Sequence, residues 1–489
     1  MSIEIELKLA IAPRAVAGLR RHALLSGVPV RRDKLYGIYF DTPDFQLSRN
    51  RGAFRLRREG YHWVQTVKLD RGSVGGLSMR PEYEVRLAGK QPDFALLPEA
   101  ARAAITPEVE ARLAPVFVTD FQRTIWHIER PAGTVEVALD LGHIRAGAAD
   151  LPVAEVELEL KAGTGAVLFE IARELLAGVA MVPEYRSKAL RGYGLVGAWQ
   201  EMPAKAEAVA LSRRLPAQEA WRRVLLSALD QLGRNLPGLI AGDDPEYLHQ
   251  ARVAVRRLRT MLGLGRSLGL EHDDWVADLR WFMAELSPAR DWDVFVIETL
   301  AGVGAELPEP ERLDDLRARA GRARAAAGKR ARAAAGDRRL TGLVLAMGAA
   351  LLEPRTDGPD LDQWAGQVLD RRLRKFRRLA GDFGRLDAAG RHQTRIAAKR
   401  LRYAGEAFAA LSGKKAVRYL AGVAALQDGL GAVNDAAVAH RLLAALNRDG
   451  RDAYAVGLVE GFLAARAAAR LAGVAAQVAG IAAVKPYWR

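Results

Sequence analysis

Apolar and polar residues alternate strictly along the first predicted strand, Ile3-Glu4-Ile5-Glu6-Leu7-Lys8-Leu9. Successive side chains of a strand point to opposite faces, so Glu4, Glu6 and Lys8 share one face in steps of ~7 Å while Ile3, Ile5, Leu7 and Leu9 share the other. Two carboxylates beside an ammonium suit a site that holds a hard metal ion and a phosphate together. The simpler alternative is a solvated face of an edge strand. The pattern recurs, and recurrence weakens that alternative.

Residues 14–26 read as a helix, and residues 35–40 as a strand ending in the turn Asp41-Thr42-Pro43-Asp44. Strands then come in pairs. Residues 53–57 and 62–68 flank the turn at Glu59-Gly60, and Arg55, Arg57 and Lys68 fall on one side. Arg80, Glu82 and Glu84 share a parity, as do Glu136 and Asp140 in residues 134–141, and Glu155, Glu157 and Glu159 in residues 153–160. Arg123 lies in the apolar strand 121–128. At least seven antiparallel strands with charge on one face fit a closed barrel better than a sandwich, the apolar rows being covered by helices such as residues 167–176. Its lumen would be an anion site with carboxylates in the wall, where Arg binds phosphate as a fork, Lys as a point charge, and the acids suit Mg²⁺ or Mn²⁺.

From Ala217 onward the period is helical, after a linker at residues 202–216. An internal repeat dominates this half. His249-x-x-Arg252-x-x-x-Arg256-Arg257-Leu258-Arg259 returns as His392-x-x-Arg395-x-x-x-Lys399-Arg400-Leu401-Arg402, each preceded at the same distance by a tryptophan, Trp221 and Trp364. Downstream, Leu286 with Arg290-Asp291 corresponds to Leu430 with Asn434-Asp435, one residue out of step. On a helix His249, Arg252, Arg256 and Arg259 occupy a stripe of about 80°, opposite Val255, Leu258 and Leu262. Like charges at this spacing destabilise a free helix, so two such ridges imply a compensating anion. The Ala/Arg/Gly run of residues 317–339 reads instead as a solvated face.

Charge sharpens this division. Residues 1–200 hold 27 Lys/Arg against 24 Asp/Glu and residues 201–489 hold 46 against 34, so the net charge of +15 is carried mainly by the second part. A polyanion is expected to meet that part first. The 489 residues suggest two or three domains. With no cysteine there is no disulfide, thiolate nucleophile or Cys-type zinc site, which fits a reducing cytoplasm. No leader or anchor is visible at the N-terminus, and residues 457–484, interrupted by Arg466 and Arg470, fall short of a clean spanning helix, so the expectation is a soluble protein.

Taken in order, Glu4-x-Glu6-x-Lys8, Arg55/Arg57, Thr66-x-Lys68, Arg80-x-Glu82-x-Glu84, Arg123, Glu136 with Asp140, Glu155-x-Glu157-x-Glu159 and Ser187-Lys188-x-x-Arg191-Gly192-Tyr193 resemble the CYTH superfamily, the triphosphate tunnel metalloenzymes. The resemblance covers about residues 1–195 and implies a tunnel domain of residues 1–200. It implies an eight-stranded antiparallel tunnel that cleaves or rearranges a triphosphate with a divalent metal. On that analogy Arg55, Arg57, Lys68, Arg80, Arg123, Lys188 and Arg191 would bind phosphate. Glu4, Glu6, Glu157 and Glu159 would hold metal, with Asp140 and Glu155 beside them, and Glu4, Glu6, Lys8 and Lys68 would carry the chemistry. Residues 217–489 resemble the CHAD domain, an all-helical module of two halves, about 217–345 and 360–489. That resemblance implies a polyphosphate groove lined by His249, Arg252, Arg256, Arg259, His392, Arg395, Lys399 and Arg402.

The expected fold is therefore an α+β multidomain chain: an N-terminal antiparallel β-tunnel with flanking helices, then an all-α pseudo-twofold bundle. The leading function is metal-dependent hydrolysis of inorganic tripolyphosphate, with long-chain polyphosphate as partner of the helices. Thiamine triphosphate, a nucleoside triphosphate, an RNA 5′-triphosphate or cyclisation of ATP would suit the same tunnel. A non-catalytic polyphosphate-binding or granule-associated protein is the reading from another class. Nucleic acid is disfavoured, because both ridges lack the interleaved aromatics that stack bases.

Overall fold

The computed structural model describes residues 2–69, 73–74, 76–447, 450 and 452–488. The side chains of Arg80 and Asn434 lie outside the described residues.

Ten strands are present among the described residues: β1 (Ser2–Ile11), β2 (Val30–Asp41), β3 (Gly52–Glu59), β4 (His62–Leu69), β5 (Ser73–Val74), β6 (Leu77–Leu87), β7 (Ala114–Arg130), β8 (Gly133–Ala146), β9 (Ala149–Gly163) and β10 (Met181–Pro183). They form one antiparallel sheet in the order β10-β1-β9-β8-β7-β2-β3-β4-β6-β5, and β1 also pairs with β6. That last pairing closes eight of the strands into a ring, with β10 and β5 appended. Closure leaves the eight no free edge.

Alternation decides which row faces in. Leu7, Leu9, Val137, Leu139, Val156 and Leu158 point outward and pack under α1 (Ala166–Gly178), where Val167, Ile171 and Leu175 are buried. On the opposite wall Phe54, Leu56, Val67 and Tyr83 pack under Leu97, Ile105 and Val109. The charged rows are left to the lumen. One end of the lumen is filled by Tyr39, Phe117, Phe121 and Tyr193, with Tyr39 stacked on Phe117 at 4.5 Å between ring centres.

The helix expected over residues 14–26 is broken. A 3-10 turn Pro13–Ala15 leads into a short helix, Val16–Arg20, and a second 3-10 turn covers Ala23–Leu25. His22 sits in extended backbone between them, its Nδ1 accepting from the Leu24 amide at 3.2 Å. Asp41, read as a turn residue, is fully buried: its carboxylate accepts from the amides of Thr42, Leu47 and Ser48 and fixes the loop after β2.

Two compact units divide the chain. The first takes in residues 1–204, 229–242 and 336–353. Within it the Thr341 hydroxyl donates to the Met181 carbonyl at 2.9 Å, Arg338 donates to the Ala177 carbonyl, and the Asn235 amide exchanges two hydrogen bonds with the backbone of Ala204. Gly233 permits close packing, since a Cβ there would lie 1.9 Å from the Tyr185 ring.

The second unit, residues 205–228, 243–335 and 354–489, is helical. Its first helix, α3 (Ala217–Ala241), runs on beyond residue 228, and α4 (Pro245–Gly265) and α5 (Asp273–Asp293) follow. α5 continues as a π-helical stretch, Val294–Leu300. Later come α6 (Asp314–Ala335), α7 (Arg338–Ala350, part of the first unit), α8 (Leu361–Ala380), α9 (Ala388–Ala407), α10 (Lys414–Leu446) and α11 (Ala453–Ala483). Val255, Leu258, Leu262 and Leu401 are buried, which leaves the ridges of α4 and α9 on the opposite faces. Both repeat tryptophans are buried and hydrogen-bonded, Trp221 to the Met261 carbonyl and Trp364 to the Ser267 hydroxyl, each at 2.8 Å. Among the described residues no single helix is long and apolar enough to cross a membrane, and Val474 and Val478 of the apolar α11 belong to a buried core.

Candidate functional site

In the first unit the lumen carries two groups of opposed charges. In one, Lys68 Nζ lies 2.9 Å from Glu4 and 3.1 Å from Glu82, Arg55 lies 3.4 Å from Glu82 and 3.5 Å from Glu84, and Arg57 lies 3.3 Å from Glu84. Register explains the meeting: Lys68 pairs with Glu82 across β4 and β6, and Thr66 stands opposite both Arg55 and Glu84.

The second group is deeper. Arg123 grips Asp140 through two bonds of 2.7 and 2.6 Å and reaches Glu157 at 2.5 Å. The short helix α2 (Lys188–Leu195) brings Lys188 and Arg191 to the same place. The Ser187 hydroxyl caps it by accepting from the Leu190 amide at 3.0 Å. Gly192 lets it approach, as a Cβ there would sit 2.2 Å from the Phe117 ring. Lys188 Nζ then contacts Asp140 at 2.7 Å, Glu157 at 2.8 Å and Glu155, while Arg191 pairs with Glu155. Asp140 and Glu155 are fully buried.

Burial disfavours charge on Arg123, but Asp140 and Glu157 outweigh it and hold its pKa well above the ordinary value. Lys188 is raised by Asp140, Glu155 and Glu157 against the same burial penalty. Conversely, burial opposes the charge on Asp140 and Glu157, yet Arg123 and Lys188 keep both carboxyls below their usual range. All four groups are thus held ionised.

Asp140, Glu155 and Glu157 each offer an oxygen within 4.8 Å of the others, a hard donor set that fits a divalent cation. Lys188 Nζ already places positive charge against all three. The other acids anticipated as metal ligands are placed differently: Glu4 faces Lys68, Glu6 pairs with Lys8 at 2.7 Å, and Glu159 pairs with Lys161 at 2.7 Å. Burial, with Glu4 and Glu136 nearby, raises the Glu159 carboxyl above its ordinary value. Sequence reading did not assign the helix of Lys188 and Arg191, which at eight residues shows little period; Ser187 before it was the available signal.

In the second unit the two ridges line adjoining hollows. One, of about 290 Å³, is bordered by Arg252, Arg256, Arg290, Asp291, Arg395 and Lys399. The other, of about 310 Å³, is bordered by Arg256, Arg395, Lys399, Tyr403, Asp428 and Asp435. Arg252 donates to the Ser287 hydroxyl at 2.7 Å, and the Arg256 guanidinium lies 5.6 Å from the Tyr403 ring centre. The buried Nε atoms of Arg256 and Arg395 have no hydrogen-bond partner.

Here the shifts run the other way. Burial, then Arg395 and Arg256, lowers Lys399 to about 8, and burial with Arg256 lowers Arg252 to about 10. Burial also lowers Arg395 and Arg259. Arg259 and Arg402 border neither hollow; Arg402 pairs with Glu406 at 2.7 Å. The histidines differ, since His249 is half-buried and lowered by burial and Arg290, whereas His392 is exposed. Asp291 and Asp435, noted in the sequence only as repeat markers, both border the first hollow.

Known proteins match the chain in two stretches. The family model of the CYTH domain matches residues 2–193 and that of the CHAD domain residues 223–444. An inorganic triphosphatase of Haemophilus influenzae is 36% identical over 199 residues, 40% of this chain and 56% of that protein. The chain thus spans about half the length of that relative. An uncharacterised protein of Mycobacterium tuberculosis is 27% identical over 466 residues, covering 87% of this chain and 85% of that one. The crystal structure of the CHAD domain from the plant Ricinus communis is 36% identical, covers 58% of this chain and 98% of its own, and superposes with a TM-score of 0.54.

Proposed function

The chain joins a CYTH domain to a CHAD domain, and from that premise we propose that its tunnel hydrolyses inorganic triphosphate to pyrophosphate and phosphate with Mg²⁺ or Mn²⁺, while its helical unit binds inorganic polyphosphate. The observation that carries the first half is the convergence of Arg123, Lys188 and Arg191 on the buried carboxylates of Asp140, Glu155 and Glu157 inside a closed ring. Similarity to the Haemophilus influenzae triphosphatase supports the choice of inorganic substrate.

Arg55, Arg57, Lys68, Arg123, Lys188 and Arg191 would take the phosphate oxygens, Arg in pairs of bonds and Lys singly. Asp140, Glu155 and Glu157 would hold the divalent ion, with Glu4, Glu6 and Glu159 on the same wall. Bound metal supplies charge neutralisation and polarises the phosphoryl group. The described lumen cations already face carboxylates, so bare triphosphate meets repulsion as well as attraction; triphosphate accompanied by divalent cations is closer to neutral and suits the lumen better. Water would add to the terminal phosphorus, the bond to the bridging oxygen would break, and pyrophosphate would leave with that oxygen.

The second half rests on Arg252, Arg256, Arg395 and Lys399, which crowd two hollows where cations outnumber the bordering acids. On this reading the chain works in the cytoplasm, where polyphosphate granules would be its anchoring point.

The test is phosphate release from tripolyphosphate with Mg²⁺, Mn²⁺ or EDTA, in the full chain and in Glu4→Gln/Glu6→Gln and Asp140→Asn/Glu155→Gln variants. Metal-dependent turnover that both double variants abolish is expected. Absence of turnover with inorganic, nucleoside and thiamine triphosphates alike would refute the enzyme and leave polyphosphate binding as the function.

A further inference from the structure

The hollows of the helical unit are not uniformly positive. Asp291, Asp435 and Glu298 border the first beside Arg252 and Lys399, and Asp428 and Asp435 border the second. Asp291 and Asp435 hold corresponding places in the two repeats and feel each other's charge. Burial, then the proximity of Asp435, raises the Asp291 carboxyl against the pull of Arg252 and Arg441. Asp435 favours the charged forms of Arg395 and Lys399, but towards a long polyanion each carboxylate also repels every phosphate that passes.

Phosphates in a chain are of two kinds. An interior unit's only acidic proton is lost far below neutral pH, whereas an end group carries a second that titrates at about 6 and is retained above that pH only where an acceptor holds it. A carboxylate beside cations can accept a charge-assisted hydrogen bond from that P–OH, while towards an interior unit it offers only repulsion. Resting on the polyphosphate reading above, we infer that the groove recognises the terminal phosphate groups of a polyphosphate chain, with Asp435 and Asp291 as acceptors for the end-group proton and Arg252, Arg256, Arg395 and Lys399 as its cations.

The groups facing Asp435 are Arg395 and Lys399 from α9 and Asp291 from α5, with Arg256 of α4 across the same hollows. Lys399 itself loses charge near pH 8, so a pH profile would mix two titrations. Counting copies per chain separates them.

The full chain carrying Arg55→Ala/Arg57→Ala, which weakens the tunnel's hold on ends, is titrated in EDTA onto polyphosphate of three graded lengths and the complexes are sized by sedimentation, beside the same chain with Arg256→Ala/Lys399→Ala added, in which binding that belongs to the groove is lost. End recognition gives saturation at one copy per chain end at every length. Loading that grows in proportion to length overturns it and leaves polyphosphate binding intact; no binding at any length overturns both. In the chain with its tunnel unaltered, Asp435→Asn is compared by competition against a labelled long chain. The cyclic trimetaphosphate, which has no ends, should gain affinity about tenfold more than linear triphosphate does, whereas equal gains refute the assignment. Orthophosphate should displace the chain only far above the concentration of chain ends, and equal potency per group would assign the site to free phosphate instead.

Discussion

The tunnel and the groove both gather arginine and lysine around a space, yet their cations are in opposite states. In the tunnel Arg123, Lys68 and Lys188 are buried against acids and held more firmly charged than usual. In the groove Arg252, Arg395 and Lys399 are crowded by one another and by burial, and charge on them is disfavoured. An anion entering the tunnel must part existing ion pairs, and so needs cations of its own. An anion entering the groove relieves a strain already present.

Metal removal should break the comparison most sharply. EDTA is expected to take tripolyphosphate turnover to background while leaving polyphosphate retention unchanged, as read by phosphate release and by co-sedimentation. Retention that fell with turnover would mean that the groove shares the tunnel's dependence.

Stability gives the next contrast. Arg123→Gln leaves Asp140 and Glu157 short of a buried partner and should cost about 3–5 kcal/mol in urea denaturation. It should also weaken the acid limb. Carboxyls with lowered native values contribute stability above their unfolded range that disappears as pH falls through those values, and the variant loses part of that contribution. Lys399→Ala, which removes a crowded charge, should unfold at no lower urea concentration than the parent while binding polyphosphate more weakly.

A smaller effect concerns pH. Polyphosphate affinity should fall as pH rises through about 8, because Lys399 carries its charge only below that value. Lys399→Arg should keep its affinity there, measured by titration calorimetry. Smallest is Ser187→Ala, which removes the cap of the helix carrying Lys188 and Arg191 at a cost of about 1 kcal/mol; it should raise KM for triphosphate and leave polyphosphate binding alone.

Period-two alternation made the lumen legible, since Glu4, Glu6, Arg55, Arg57, Glu155 and Glu157 face inward simply by parity with buried neighbours. It could not show which strands meet. The β1–β6 pairing that closes the ring joins Leu7 to Leu77 and Ser2 to Glu82, and no local pattern encodes it. For the same reason the position of Lys188 between three carboxylates was hidden, as it depends on β8, β9 and a short helix converging. In the helical half, repeated offsets exposed both ridges, but a shared helical face did not make a shared site: Arg256 and Lys399 border the hollows while Arg402 turns to Glu406. His22 broke an expected helix through its own side chain, an effect that periodicity does not carry.

The hydrogen bond from Thr341 to the carbonyl of Met181 sets an order in time. The unit containing the tunnel is complete only when residue 353 has been made, although its last strand ends at Pro183. At about 5–20 residues per second, the ribosome needs about seven to thirty seconds to pass from residue 204 to residue 353. Throughout that interval the nascent barrel must persist without α7, with Leu345 still missing from its outer core.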